Sequence, residues 1–277
     1  MIKLSLCIPT YNRVEDLKIT LSDIINQLKK LDSKTRSEIH VHIQDNCSTD
    51  NSSKLIKKSS LKREFINNGI FFTYEVNKKN FGFDRNVLKC IDNSLGEYIW
   101  LISDDDHIFN SSIKKVFEYT FKNFDMINFQ FNQLPNSTTK PFRKNDYTEV
   151  NLSKNTFREL IILPKLTICM YKVSAIKPLL KKLNKGKGFV HSELNVILAL
   201  MDSSKCLYSS LFIGETRNEK KLNSFPAFVF NHHFNVLKKI LEDFRRYDLL
   251  KTLGQTIQLI NPATVALKIL IVKNILK

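Results

Sequence analysis

Residues 98–106 read Tyr98-Ile99-Trp100-Leu101-Ile102-Ser103-Asp104-Asp105-Asp106, an apolar run that ends in three consecutive carboxylates. A short run rich in β-branched and aromatic residues favours a buried strand, which we expect to end where the acids begin. Three like charges at a strand end repel one another, so the sequence predicts a cation beside them. A hard divalent cation could relieve the repulsion and, at the carboxyl edge of a sheet, hold a diphosphate. The alternative is a solvated acidic turn that caps the helix after His107.

The segments before this strand alternate between strand-like and helix-like patterns, which favours βαβ units and a mostly parallel sheet. We predict strands over 3–9, 39–44, 70–76 and 98–102, and helices over 14–31, 51–60 and 84–93. Beyond the acids we predict helices over 112–124 and 192–201, strands over 125–131, 165–171 and 206–213, and a long loop over 132–156. An amphipathic basic helix is predicted over 231–253.

Length and composition bound the class of protein. A chain of 277 residues with 43% hydrophobic content can bury one large core, so we expect one main α/β domain with a helical tail. The five cysteines show no CxxC pair and no zinc-ligand spacing, which is typical of buried thiols in a reducing compartment. A strand-like segment follows Met1 at once, and no uncharged apolar run reaches membrane-spanning length. We therefore expect a cytoplasmic location.

The chain carries a formal net charge of +16. The segment from Lys177 to Lys187 contains five lysines and no acid. The segment from Phe230 to Lys277 contains eight Lys or Arg and three acids. Basic surface of this kind attracts phosphates of nucleotides, anionic lipids or nucleic acid. The basic helix and the apolar stretch 262–277 also suit an anionic membrane surface, a dimer contact or burial against the domain. A lysine-rich composition on ordinary solvated faces remains the alternative.

Four segments that follow predicted strands carry the functional pattern. They are Leu6-Cys7-Ile8-Pro9-Thr10-Tyr11-Asn12-Arg13, Gln44-Asp45-Asn46-Cys47-Ser48-Thr49-Asp50, Asn80-Phe81-Gly82-Phe83-Asp84-Arg85-Asn86 and the acids Asp104 to Asp106. Because the carboxyl ends of parallel strands line one crevice, we expect these loops to meet at one ligand.

Together the four segments resemble family 2 glycosyltransferases of the GT-A fold. The similarity is close over about residues 3–110, looser to about 215, and absent from the last 60 residues. It implies a catalytic domain over 1–215, with a nucleotide-binding half (1–110) and an acceptor half (111–215), followed by a helical extension over 216–277. The expected architecture is α/β, Rossmann-like, with a mostly parallel central sheet.

The resemblance also implies roles for residues of the nucleotide-binding half. Pro9, Thr10, Tyr11 and Asn12 would lie along the nucleotide, with the Tyr11 ring against the base. Asp45 would accept a hydrogen bond from an imide N–H, which suits uracil or thymine, or would simply form an Asx-turn. Arg85 would pair with the diphosphate or with nearby acids, or would face solvent at a helix start. A partly buried core position is the alternative for Tyr11.

The acid triplet would hold the ribose and the metal ion. Asp104 fits the ribose-hydroxyl role, Asp105 the metal ligand, and Asp106 a second or outer ligand, with the assignment open by one residue because Ser103 stands where the family more often has Asp. The implied cofactor is Mn²⁺ or Mg²⁺, which would neutralise charge on the leaving diphosphate.

The acceptor side requires a general base that takes a proton from a sugar hydroxyl. Glu193 matches the family's Glu-Asp motif in part, because the dipeptide here is Ser192-Glu193, and His191 is the other candidate. Capping of the helix start by Ser192 or His191 is the alternative without chemistry.

The sequence therefore predicts an inverting, metal-dependent transferase that moves one sugar from a UDP or dTDP donor to a glycan or lipid-linked acceptor. Bacterial surface polysaccharide (O-antigen, capsule or lipooligosaccharide) is the expected product, made at the cytoplasmic face of the inner membrane. No nucleic-acid partner is expected, and a homodimer is an option. The alternative from another class is a basic, non-catalytic protein that binds nucleic acid or a membrane surface.

Overall fold

The computed structural model describes residues 1–58, 61–132, 143–162, 165–181, 183, 189–217 and 227–259. Strands and helices alternate through the first half of the chain. The strands are β1 (Leu4–Thr10), β2 (Ile39–Asp45), β3 (Phe71–Val76), β4 (Tyr98–Leu101), β5 (Asp106–Ile108), β6 (Met126–Asn132), β7 (Tyr147–Thr148), β8 (Cys169–Lys172) and β9 (Cys206–Thr216). The helices are α1 (Val14–Leu28), α2 (Ser33–Ser37), α3 (Ser52–Lys58), α4 (Leu61–Asn67), α5 (Phe83–Asp92), α6 (Ser112–Tyr119), α7 (Lys154–Ile162), α8 (Val173–Ile176), α9 (Val190–Leu200), α10 (Ala227–Asp243) and α11 (Tyr247–Leu259).

One sheet organises the described residues, with the strand order β3-β2-β1-β4-β8-β6-β9-β5 and with β7 paired to β9. The first four strands are parallel, and their register aligns Thr10 with Asp45 and Asp45 with Val76. Helix α5 packs on β1 and β2, while α1 packs against β5 and α6. All seven residues of β1 are buried, because helices cover both faces of a parallel sheet. The carboxyl ends of β1, β2, β3 and β4 consequently share one rim.

The sheet curls so that β5 returns to this rim. Three strands lie between β4 and β5 in the order, which in a flat sheet would separate them by about 19 Å. Only residues 102–105 connect them, and even fully extended they reach about 17 Å. The turn at 104–105 shortens that reach further. The acid triplet therefore lies where the two ends of the sheet approach each other.

Several sequence predictions change in the second half. The sheet beyond β4 is mixed, because β8 is antiparallel to β4 and β6, β5 is antiparallel to β9, and only β6 and β9 are parallel. The predicted loop over 132–156 was wrong in part, since it contains β7 and the start of α7, while 133–142 lie outside the described residues. The strand predicted from Lys165 begins only at Cys169, because Lys165 and Thr167 turn towards the triplet.

The basic segment at the end of the chain forms two helices instead of the predicted single one. Arg245 adopts a left-handed φ of 54° between α10 and α11, which ends the first helix. The apolar stripe of α10 is buried against the domain at Phe234, Leu237, Ile240 and Leu241. Across the described residues, no helix has the length and apolar character to cross a membrane. The apolar stretch 262–277 lies outside the described residues.

Candidate active site

The loop after β1 is hydrogen-bonded to the loop after β2. Asn12 adopts a left-handed φ of 51°, a conformation that asparagine tolerates better than most residues. Its side-chain Oδ1 accepts a hydrogen bond from the backbone N–H of Thr49 at 2.7 Å, and its own N–H donates to Ser48 Oγ at 2.9 Å. Asp50 then accepts from the N–H of Val14 at 3.0 Å and so caps α1 from the neighbouring loop. Tyr11, between these anchors, is 41% exposed.

Asp45 ends β2 and faces the protein interior. One carboxylate oxygen accepts from the N–H of Ser48 at 2.7 Å, and the other accepts from the Tyr74 hydroxyl at 2.6 Å. Burial and this bond to Asp45 raise the pKa of Tyr74. The structure thus places Asp45 in an Asx-turn and fully buried, which is the alternative reading of its sequence position.

An asparagine network joins the loops after β2 and β3. Asn46 donates to Asn80 at 2.8 Å, and Asn77 donates to Asn46 at 2.9 Å and to Asn86 at 2.8 Å. Gly82 precedes α5 with a φ of 85°, which a residue with a side chain adopts only under strain. Arg85, on the first turn of α5, is exposed. Sequence reasoning missed this network, although the repeated asparagines at strand ends were its visible signal.

The acid triplet is surrounded by protein cations and hydroxyl groups. Asp104 accepts from Thr10 Oγ1 at 2.7 Å and from Arg13 Nη1 at 2.8 Å, and the same nitrogen lies 2.8 Å from Asp105 Oδ2. Asp105 also accepts from Ser103 Oγ at 2.6 Å. Burial raises the pKa of Asp104 to about 6, although the charge of Arg13 opposes the shift. The predicted cation beside the acids is therefore, in this structure, an arginine.

Asp106 has a different environment from its two neighbours. It is 1% exposed and accepts from Thr167 Oγ1 at 2.5 Å and from Lys165 Nζ at 3.2 Å. Burial raises its pKa, and the charge of Lys165 opposes that rise. Asp106 is also the first residue of β5, and its carboxylate is enclosed by Thr167 and Lys165. Thr167 and Lys165 are contacts that the sequence did not predict.

The structure brings the start of α9 next to the start of α5. Asp84 accepts a hydrogen bond from the N–H of Val190 at 3.1 Å, and the ring of His191 lies 5.9 Å from that of Phe83. His191 and Glu193 are each 1% exposed, so neither is open to solvent in this conformation. The start of α9, which carries the two base candidates, is thus close in space to the first turn of α5, which carries Arg85.

The model of glycosyl transferase family 2 matches residues 5–184. The chain belongs to glycosyl transferase family 2. It is accordingly a glycosyltransferase, which decides against the non-catalytic alternative.

Proteins similar to this glycosyltransferase have known activities and ligands. An abequosyltransferase, RfbV of Salmonella typhimurium, is 36% identical over 110 residues, which are 40% of this chain and 30% of that protein. S. aureus TarS residues 1–349 in complex with UDP is similar in fold, with a TM-score of 0.70 at 15% identity over 96% of this chain and 75% of that one. The mannosyltransferase PcManGT from Pyrobaculum calidifontis in complex with GDP-Man and Mn²⁺ has a TM-score of 0.61 at 12% identity, covering 95% and 75%. These similarities confirm the GT-A fold.

The triplet carboxylates are the candidate ligands for a divalent metal ion in this glycosyltransferase. Within the described ranges, no cluster of three or more His, Cys, Asp or Glu side chains is placed to hold a metal ion. Asp104 and Asp105 nevertheless direct one oxygen each at a single nitrogen of Arg13, which marks a position where positive charge is stabilised. Two hard oxygens suit Mg²⁺ or Mn²⁺ when phosphate oxygens and water complete the shell. The donor set fits an ion that binds together with a diphosphate.

A separate cleft lies next to β5. It has a volume of about 460 Å³ and lies between α1 and β5, where Lys30, His107 and Asn110 are among its lining residues. None of the three triplet carboxylates lines it. This cleft is therefore distinct from the rim that carries Asp104 and Asp105.

Proposed function

We propose that this glycosyltransferase transfers one sugar from a nucleotide donor, with UDP or dTDP preferred, to a glycan or lipid-linked acceptor of bacterial surface polysaccharide such as O-antigen. One observation carries the proposal. The loops after β1, β2 and β3 are hydrogen-bonded to one another, and Thr10 at the end of β1 is hydrogen-bonded to Asp104 on the same rim. Support for the donor class comes from TarS, solved with UDP and with UDP-GlcNAc. Support for the process comes from the abequosyltransferase relative.

Donor binding uses the exposed parts of the rim. Tyr11 offers its ring to the base, Pro9, Thr10 and Asn12 shape the adjoining backbone, and Arg85 pairs with the diphosphate. Thr10 holds Asp104 in place for the ribose hydroxyls through the 2.7 Å hydrogen bond. Asp45 accepts the imide N–H only after the turn at Ser48 opens, because its carboxylate is buried.

Asp105 is the proposed metal ligand, since its side chain is 17% exposed and is the most accessible of the two that share Arg13. A Mn²⁺ or Mg²⁺ ion bound there would supply positive charge for the leaving diphosphate. Asp106, named in the sequence prediction as a second ligand, is held by Lys165 and Thr167. We propose that Asp106 stabilises the backbone conformation of the triplet and does not bind the metal ion.

On the acceptor side, Glu193 or His191 takes the proton of the acceptor hydroxyl as its oxygen attacks the anomeric carbon, and the configuration inverts. Because both side chains are buried, access of the acceptor requires a local opening, for which we propose movement of the Phe83 and Phe189 rings beside His191. The catalytic domain is proposed to cover 1–215, with 216–277 as its extension. A peripheral position on the cytoplasmic face of the inner membrane, through the lysines of the C-terminal helices, and a homodimer are further parts of the proposal.

A thermal-shift screen tests the donor assignment. The full chain is heated with UDP, dTDP, GDP, CDP and CMP, and with their sugar derivatives, in Mn²⁺ or in EDTA. A ligand that binds only the folded state raises the melting temperature. We expect a shift with a UDP or dTDP compound in Mn²⁺ that EDTA removes. A metal-dependent shift confined to a cytosine nucleotide would overturn the base preference, and no shift with any nucleotide would overturn the donor class.

A further inference from the structure

The backbone on both sides of Asp105 is held by hydrogen bonds from outside the triplet. Thr20, on α1, donates from Oγ1 to the carbonyl oxygen of Asp104 at 2.8 Å. Arg217 donates from Nη2 to the carbonyl oxygen of Asp106 at 2.8 Å. The peptide group directly before the proposed metal ligand (104–105) and the one that follows Asp106 (106–107) are therefore held independently of any side chain of the triplet.

Thr20 and Arg217 are also hydrogen-bonded to each other. The same Nη2 of Arg217 donates to Thr20 Oγ1 at 2.9 Å, so the hydroxyl accepts from arginine while it donates to Asp104. The other nitrogen, Nη1, donates to the carbonyl oxygen of Asp16 at 3.1 Å and lies 3.7 Å from its carboxylate. The Arg217 side chain is only 16% exposed, and Thr20 is 1% exposed. A planar guanidinium with several donors suits this arrangement, and lysine cannot reproduce it.

Arg217 lies beyond the part of the chain that the family model matches, directly after the end of β9. It therefore links the C-terminal part of the chain to the rim. We propose that Thr20 and Arg217 are positioning residues that hold the Asp105 carboxylate at the distance from the diphosphate which the metal ion requires. This inference rests on the proposed function and adds to it a source of metal-site geometry in the extension.

The effect of metal on nucleotide affinity distinguishes a positioning role of Thr20 and Arg217 from a contribution to general stability. The probe is UDP, and its dissociation constant is measured by calorimetry in EDTA and in Mn²⁺ for the wild type, Thr20→Val and Arg217→Lys. Misplacement of a binding group by about 1 Å can cost a factor on the order of 100. We expect the tightening by Mn²⁺ to fall about tenfold or more in both variants. Affinity for UDP in EDTA should stay near that of the wild type.

Two matched controls define the baseline. Thr20→Ser keeps the hydroxyl and should retain the metal effect. Arg246→Met removes an arginine from the connection between α10 and α11. Like Arg217, Arg246 donates to a backbone carbonyl, that of Leu152 at 2.8 Å, and pairs with an aspartate, Asp248. This variant should likewise keep the metal effect, and circular dichroism confirms that each variant is folded. If Arg217→Lys is unfolded, Thr20→Val alone decides.

Each result has one meaning. Loss of the metal effect with intact metal-free binding supports the positioning role. An unchanged metal effect in Thr20→Val and Arg217→Lys overturns it while the proposed function stands. Equal weakening with and without metal also overturns it, because the pair would then serve the fold alone. Absence of Mn²⁺-dependent UDP binding in the wild type overturns the UDP and metal parts of the proposed function and this inference with them.

Discussion

Arg13 donates to the carboxylate of Asp105 at 2.8 Å, from the same nitrogen that lies 2.8 Å from Asp104. The guanidinium thus occupies the position that an incoming divalent ion would share. It is 41% exposed, so it can leave without disturbing the core. Metal binding then includes the cost of displacing an existing ion pair, so the protein is expected to bind metal weakly in the absence of nucleotide.

We predict that Arg13→Met binds Mn²⁺ in the absence of nucleotide several-fold more tightly than the wild type. The variant leaves two neighbouring carboxylates without their counter-ion, and their repulsion favours a cation. Free Mn²⁺ measured by electron paramagnetic resonance during a titration gives the constant directly. Arg36→Met, which removes an arginine bonded to the Lys29 carbonyl, is the matched control. Equal or weaker binding by Arg13→Met would show that Arg13 does not compete with metal.

Asp105→Asn should impair metal-dependent nucleotide binding, whereas Asp106→Asn should lower stability. The first should abolish the Mn²⁺-dependent thermal shift with the nucleotide and leave the melting temperature of the free protein nearly unchanged. The second removes the charge that faces Lys165 in a buried site, so it should lower the free energy of unfolding by about 1–3 kcal/mol. Urea unfolding and the thermal-shift assay, run on both variants, separate the two effects. Exchange of these outcomes would make Asp106 the metal ligand.

The nucleotide-binding half could be predicted closely because its signals are local. An apolar run bounded by polar turns gave β1, β2 and β4, and a period of three and four residues gave α1, each to within a few residues. Convergence of the loops followed from parallel topology alone. Two short helices, α2 and α4, were missed because neither carries enough apolar residues to show a period.

The counter-ions of the triplet could not be predicted, because they depend on how the sheet curls. Lys165 and Thr167 reach Asp106 from about 60 positions further along the chain, and Arg217 from 111. No sequence pattern links such distant residues. The sequence correctly required a positive charge beside the acids, but only the folded chain shows that Arg13 and Lys165 supply part of it.

Glu193→Gln and His191→Gln distinguish the two base candidates. If Glu193 is the base, as its position in the family-like motif indicates, its amide variant should lower kcat by about 10²–10⁴-fold with donor affinity unchanged. His191→Gln should then cost much less. Steady-state kinetics with UDP release as the readout give both values. The opposite ranking would assign the proton transfer to His191.

Gly214→Ala should destabilise the protein at the β5–β9 pairing. A Cβ at this position would point directly into the carbonyl oxygen of His107 and come within 3.0 Å of the Phe131 ring. Because one obstacle is backbone, the strands must separate, at a cost of about 1–3 kcal/mol in urea unfolding. Gly254→Ala is the control, since its Cβ would meet nothing within 4 Å and lies inside α11. That variant should gain about 0.5–1 kcal/mol.

Acid should destabilise the sheet through His40. This side chain is fully buried on β2, where its ring lies 3.1 Å from Ser5 Oγ and 2.7 Å from Thr73 Oγ1. Burial, with a smaller contribution from the charge of His42, lowers the pKa of His40 to about 4. The unfolded chain takes up the proton near pH 6.5 and the folded chain only near pH 4, so the unfolded state binds more protons between these values.

Stability should therefore be complete above pH 6.5 and fall as the pH drops towards 4, by at most about 3 kcal/mol from this residue. Urea unfolding at half-unit steps between pH 7.5 and pH 4.5 measures the slope. In His40→Gln the side chain still offers a donor and an acceptor to Ser5 and Thr73 but takes up no proton, so the curve should be flatter across this window. A slope that is unchanged in His40→Gln would assign the acid sensitivity to other groups, with His42, whose pKa burial also lowers, as the next residue to replace.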